Sequence, residues 1–164
     1  MSPGDVVGRP GPARTAGRLL LGVGLVLAGV GHLGPARTTF QAHVPPWLPL
    51  DPDLVVVASG VVELRLGVAL LLLGRRRDVL PRALLGWLVA GFLVAIFPGN
   101  VSQLLTRSDA FGLDTDRAGE VRLLFQPLLV TWALWASGAW AERRRVLRAV
   151  RALSRSSRAG APRG

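Results

Sequence analysis

Four apolar runs, separated by short polar segments, organise this chain. The clearest is 54–73, LVVVASGVVELRLGVALLLL. Its 20 residues are the length an α-helix needs to cross about 30 Å of hydrocarbon. Comparable runs occupy about 18–33, 83–105 and 121–140. A backbone exposed to lipid must satisfy its own hydrogen bonds, so each run predicts a helix. The expectation is an all-α bundle of four transmembrane helices. The first run carries Gly22, Gly24, Ala28, Gly29 and Gly31, and the second carries Gly60 and Gly67 two helical turns apart. Small residues spaced in this way let membrane helices approach closely. Phe97-Pro98-Gly99-Asn100 interrupts the third run, and its proline predicts a kink there.

The connecting segments differ in character. Residues 1–17, rich in Gly, Pro and Arg, predict a disordered tail. No small-residue cleavage pattern follows the first apolar run, which is therefore read as a retained helix and not a signal peptide. Segment 34–53 contains His43-Val44-Pro45-Pro46-Trp47-Leu48-Pro49, where the prolines forbid a regular helix and Trp47 suits the membrane interface. Residues 106–120 form an acidic polar loop. In 141–164, Val146, Leu147, Val150 and Leu153 share one helical face, and Arg144, Arg148, Arg151 and Arg155 another. That pattern predicts a basic amphipathic cytoplasmic tail whose partners are the bilayer surface and its anionic lipid headgroups.

Charge then sets orientation. The net charge is +10 and all 20 basic residues are arginine. They flank the apolar runs and form no single patch, which points to membrane topology and away from nucleic acid. Fifteen arginines fall on the side of the two termini and the 74–82 loop, against four on the other side. Both termini are therefore expected in the cytoplasm, and the chain in the cell membrane. The absence of cysteine excludes thiol and disulfide chemistry. Two histidines and one intramembrane carboxylate make no convincing metal-ligand set.

With that orientation, the polar residues inside the runs reach similar depths. His32 lies at the outer end of the first helix, Ser59 and Glu63 in the outer half and middle of the second. Asn100 and Gln103 lie in the outer half of the third, Arg122 and Gln126 in that of the fourth. Ser59 and Glu63, like Arg122 and Gln126, are four apart and share a face. These seven residues are the candidate ligand-binding pocket, opening outward beneath the Pro-rich first loop. Arg122 is the expected counter-ion of Glu63, since a charge at mid-membrane costs about 2.5–3.5 kcal/mol on insertion scales. Blander roles stand beside this one. Glu63 with Arg122 serves equally as a structural pair, His32 as an interfacial histidine, and Asn100 as a partner for carbonyls freed by Pro98. Arg65, about 200° round the helix from Glu63, does not face it.

These motifs also resemble the DoxX family of small four-helix membrane proteins. The resemblance rests on Gly31-His32, Val44-Pro45-Pro46-Trp47-Leu48-Pro49, Ser59-Gly60-Val61-Val62-Glu63, Phe97-Pro98-Gly99-Asn100 and Arg122-Leu123-Leu124-Phe125-Gln126, in that order over about 18–140. The chain departs from the family pattern at Gly99, Leu124 and Arg65. The resemblance implies a cell-membrane protein, some of whose relatives are quinone-linked subunits of redox complexes. The expected function is thus an accessory or quinone-interacting subunit serving a soluble or membrane redox partner. The alternative is a non-catalytic scaffold or assembly factor whose polar cluster is structural. The apolar inner halves of the first and third runs argue against a transporter, and no catalytic residue is assigned.

Overall fold

The computed structural model describes residues 10–73, 79–106, 116–144, 146–148 and 151; for 73, 79, 103–106 and 116–122 the description is of the backbone only. The protein is all-α. Its helices are α1 (Pro12–Leu33), α2 (Arg37–Gln41), α3 (Pro52–Leu73), α4 (Val79–Thr106) and α5 (Asp116–Ser137). Three of them, α1, α3 and α4, are long and apolar enough to cross a membrane. The apolar part of α5 is shorter, Leu123–Ser137.

Local chemistry sets most of the boundaries. Proline at the first helical position, which lacks only a donor that would be unpaired anyway, opens α1 at Pro12. The helix therefore begins inside the stretch expected to be disordered. Asp51 caps α3 by accepting a hydrogen bond from the Leu54 N–H (3.0 Å), with Pro52 as the first helical residue. Gly138, at φ 74°, takes the left-handed conformation that ends α5, and its N–H donates to the Trp135 carbonyl (3.1 Å). The fourth helix thus stops before residue 140. Helix α4 continues through Pro98 without breaking. The segment expected to be all loop holds the short helix α2.

The long helices pack as two antiparallel hairpins, α1 with α3 and α4 with α5. Glycine fixes the first. A Cβ on Gly29 would lie 2.8 Å from the Gly60 carbonyl oxygen, and one on Gly67 would lie 2.8 Å from that of Gly22. The two backbones therefore touch at both crossings, two turns apart. Leu21, Leu25, Leu70, Leu85, Val89, Leu93 and Ala133 join the hairpins in one core, nearer the end where α1 and α4 begin. A second cluster, including Ala83, Ala90 and Leu134, takes in Val146, so the chain beyond α5 folds back onto the bundle. Leu147, Arg144, Arg148 and Arg151 are exposed, while Val150, Leu153 and Arg155 lie outside the described residues. Leu20, Val23, Leu27, Leu88, Val94 and Leu128 are among many large apolar side chains exposed on the outer faces, as expected of helices that meet lipid.

Two arginines counted above as topology signals have a further use. Arg18 is buried and donates through Nη1 to the Leu70 carbonyl; Arg82 is buried and donates through Nε to the Ser137 carbonyl (3.3 Å). Both carbonyls lie in last turns, where no intrahelical donor reaches them and the helix dipole favours a cation. Arg18→Met should therefore cost about 1–3 kcal/mol, the penalty for a buried carbonyl left unpaired. Exposed Arg14→Met removes the same charge and should cost almost nothing. Thermal unfolding of the two variants in detergent checks this; equal stabilities would reduce Arg18 to an orientation charge.

Candidate functional site

Away from that core the two hairpins enclose a cavity of about 590 Å³. Its walls come from α1, α3, α4 and α5, and the segment between α1 and α3 covers it. The cover is held at both edges. Asp53 at the start of α3 accepts from Arg37 Nε (2.7 Å) and Nη2 and from Gln41 Nε2 (2.9 Å), tying α2 down. Hydrogen bonding to Asp53 raises the pKa of Arg37, and hydrogen bonding to Arg37 lowers that of Asp53. On the other edge the His43 carbonyl rests on α4 where Gly99 has no side chain; a Cβ there would lie 2.8 Å from that oxygen.

His32, Ser59, Glu63 and Asn100 all line this cavity. Gln126 is buried beside it, accepting from Asn100 Nδ2 (3.0 Å) and donating to the Leu93 carbonyl. This bridge ties α4 to α5, so Asn100 has a side-chain partner on the neighbouring helix. The side chains of Gln103 and Arg122 lie outside the described residues, and with them the expected Glu63–Arg122 pair. The partner the structure gives Glu63 is His32, at 2.9 Å between Nδ1 and Oε2. Arg65 is exposed on the outside of the bundle.

Glycine spacing explains the His32–Glu63 pair. Helical side chains lean back toward the N-terminus of their own helix. His32 and Glu63 each stand one turn beyond a glycine of the same crossing, Gly29 and Gly60. Because the helices are antiparallel, the two side chains lean toward each other across it. A Cβ on Gly60 would lie 2.7 Å from that of His32, so α1 can come this close to α3 at residue 32 only because Gly60 has no side chain.

The dyad is polarised and incomplete. His32 Nδ1 also stands 2.9 Å from the Ala28 carbonyl oxygen. A ring nitrogen between two acceptors must carry its proton, and one N–H aligns with one acceptor at a time. Ala28 and Glu63 stand equally close to that N–H; the better-aligned bond goes to Ala28, so Glu63 Oε2 at most shares its donor. That oxygen belongs to a residue only 5 % exposed on the cavity wall. Buried acceptors are rarely left so. Ser59 does not supply the donor, since its hydroxyl donates to the Val56 carbonyl (2.9 Å).

Sequence reasoning did not single out Phe40. Its ring stacks on His32 at 3.7 Å between centroids and 14° between planes, and approaches His43 at 5.6 Å. The only available signal was one aromatic in the polar stretch Arg37–Gln41. Stacking fixes the imidazole plane from the covering segment and so ties the cover to the dyad.

The protein-family model that matches the chain is a domain of unknown function, DUF8561, over residues 21–137, and the chain belongs to that family. The matched region runs from within α1 to the last residue of α5. The match is to this family, and no DoxX assignment accompanies it, so the resemblance drawn from short motifs stays a resemblance. Comparison with curated proteins and with solved structures found no match.

Proposed function

We propose that this DUF8561 protein is a four-span integral protein of the cell membrane, with both termini cytoplasmic, that binds a lipophilic molecule bearing a small polar head. The cavity lies between the hairpins, and the head meets the His32–Glu63 dyad. One observation carries this reading: Glu63 Oε2, buried on the wall of an otherwise largely apolar cavity, has beside it only the His32 Nδ1–H, 2.9 Å away and shared with the Ala28 carbonyl. Burying a carboxyl group with an unfilled acceptor is costly, and a ligand hydroxyl or N–H would offset that cost. Quinones fit the chemistry. An ionised carboxylate accepts from a hydroquinone hydroxyl, and a protonated one donates to a quinone carbonyl. A volume near 590 Å³ suits one ring and part of a tail.

The core around Leu21, Leu70, Val89 and Ala133 lies on the arginine-rich side, and it supports a binding site entered from the outer face or the bilayer. Orientation rests on arginine counting, and the fourth span on α5 as a whole, whose first turns carry the charges suited to a headgroup layer. Service to a redox partner rested on the DoxX resemblance; the cavity supports the ligand-binding part of that expectation. The scaffold alternative is favoured by the Asn100–Gln126–Leu93 bridge, which is satisfied within the protein and fixes α4 against α5.

Trp47 on the cavity rim provides the test. A short-chain benzoquinone titrated into full-length protein in lipid nanodiscs should quench Trp47 fluorescence saturably, and Trp47→Phe should remove that component. Linear, unsaturable quenching would count against the site.

A further inference from the structure

We infer that the exposed face of α3 around Arg65 docks a transmembrane helix of a different protein, one that carries an aspartate or glutamate at matching depth. This rests on the reading that α3 spans the bilayer. Leu54, Ala58, Val62, Val68 and Leu72 are exposed with Arg65 and lie along one side of the helix. The stripe is thus apolar except for a guanidinium in its interior. Among the described residues none bonds to that guanidinium.

Escape to water is unfavourable in both directions. At about 1.5 Å per residue, Arg65 stands about 12 Å from the Leu73 end of α3 and about 18 Å from the Asp53 end. Its Cα–Cβ bond leans toward the helix N-terminus, which is the farther end. A charge so placed needs a partner in the membrane. Among the described residues a second copy does not offer one. Copies side by side in a membrane run parallel, so a two-fold contact on this face would set Arg65 against Arg65. Glu63, the carboxylate in the interior of α3, is buried. The complementary group is therefore an acidic side chain on another protein's span.

The probe is a synthetic leucine–alanine helix with one central aspartate, against a version with leucine there. Both are labelled for energy transfer to the full-length protein in phosphatidylcholine vesicles. The aspartate helix should associate at least ten-fold more tightly. Arg65→Leu should erase the difference, and Arg65→Lys should keep most of it. Arg65 is exposed, so these variants should fold, and resistance to carbonate extraction verifies insertion. Protein that washes off with carbonate refutes the spanning reading. Inserted protein that binds both helices equally, or whose preference survives Arg65→Leu, refutes the docking face alone. Two other outcomes also refute it: Arg65-dependent pairing of labelled copies with each other, or loss of bound phosphatidylglycerol in Arg65→Leu with helix association unchanged.

Discussion

Glu63→Leu is expected to leave the empty protein more stable than wild type while weakening quinone binding at least ten-fold. The sign of the stability change is the informative part. Leucine has nearly the volume of glutamate, so the exchange opens little space, and it removes a carboxyl group that the protein only half satisfies. Replacing a whole buried pair with packed hydrophobes is often neutral or gains about 1–4 kcal/mol, and a carboxyl group that only shares its donor is expected to follow that pattern. His32 keeps its bond to the Ala28 carbonyl and is not stranded by the change. If the dyad existed to hold the helices together, the same substitution would lower stability, as removing half of a satisfied buried pair does by about 3–5 kcal/mol. Thermal unfolding of ligand-free protein in detergent, paired with a quinone titration, separates the two. Stability given up at a site where function needs it is a familiar pattern.

The second large effect is expected at the α1–α3 crossing. Gly29→Val places a branched side chain where a Cβ alone would lie 2.8 Å from the Gly60 oxygen and 2.9 Å from the Leu64 nitrogen. Backbone atoms cannot swing aside, so the hairpin must open. Overpacking of this kind costs about 3 kcal/mol or more, and should lower Tm by about 5–10 °C. It should also part His32 from Glu63, which meet across this crossing. Gly24→Val, on the same helix where a Cβ meets nothing within 4 Å, is the matched control and should be nearly neutral. Equal effects at the two positions would mean that α1 and α3 do not touch there.

Much of this arrangement is legible in the sequence because membrane folding uses few signals. Run length gave the long helices, and the seven-residue glycine spacing on both α1 and α3 marked their contact. Depth placed His32, Ser59, Glu63 and Asn100 at one level, and the structure brings these four to one cavity. The Glu63–His32 pair was missed because opposite charge pointed to Arg122, whose side chain lies outside the described residues, while the direction in which helical side chains lean also points to histidine. The clue lay in Gly29-x-x-His32 and Gly60-x-x-Glu63, which give each member the same offset from a shared crossing. The capping roles of Arg18 and Arg82 were invisible, since composition cannot tell a buried arginine from a solvated one. Helix α2 and the stacking of Phe40 depend on Asp53, a tertiary contact without a local pattern.

The most direct measurement uses the fact that the chain has two histidines. Ring-nitrogen NMR of ¹⁵N-histidine-labelled protein in nanodiscs should show two imidazoles, assigned with His43→Gln. On saturation with a short-chain benzoquinone or its hydroquinone, the His32 ring resonances should shift, and Glu63→Leu should abolish the shift. If the quinone saturates Trp47 quenching while the His32 signals stay where they were, the ligand sits elsewhere and the dyad is not its anchor.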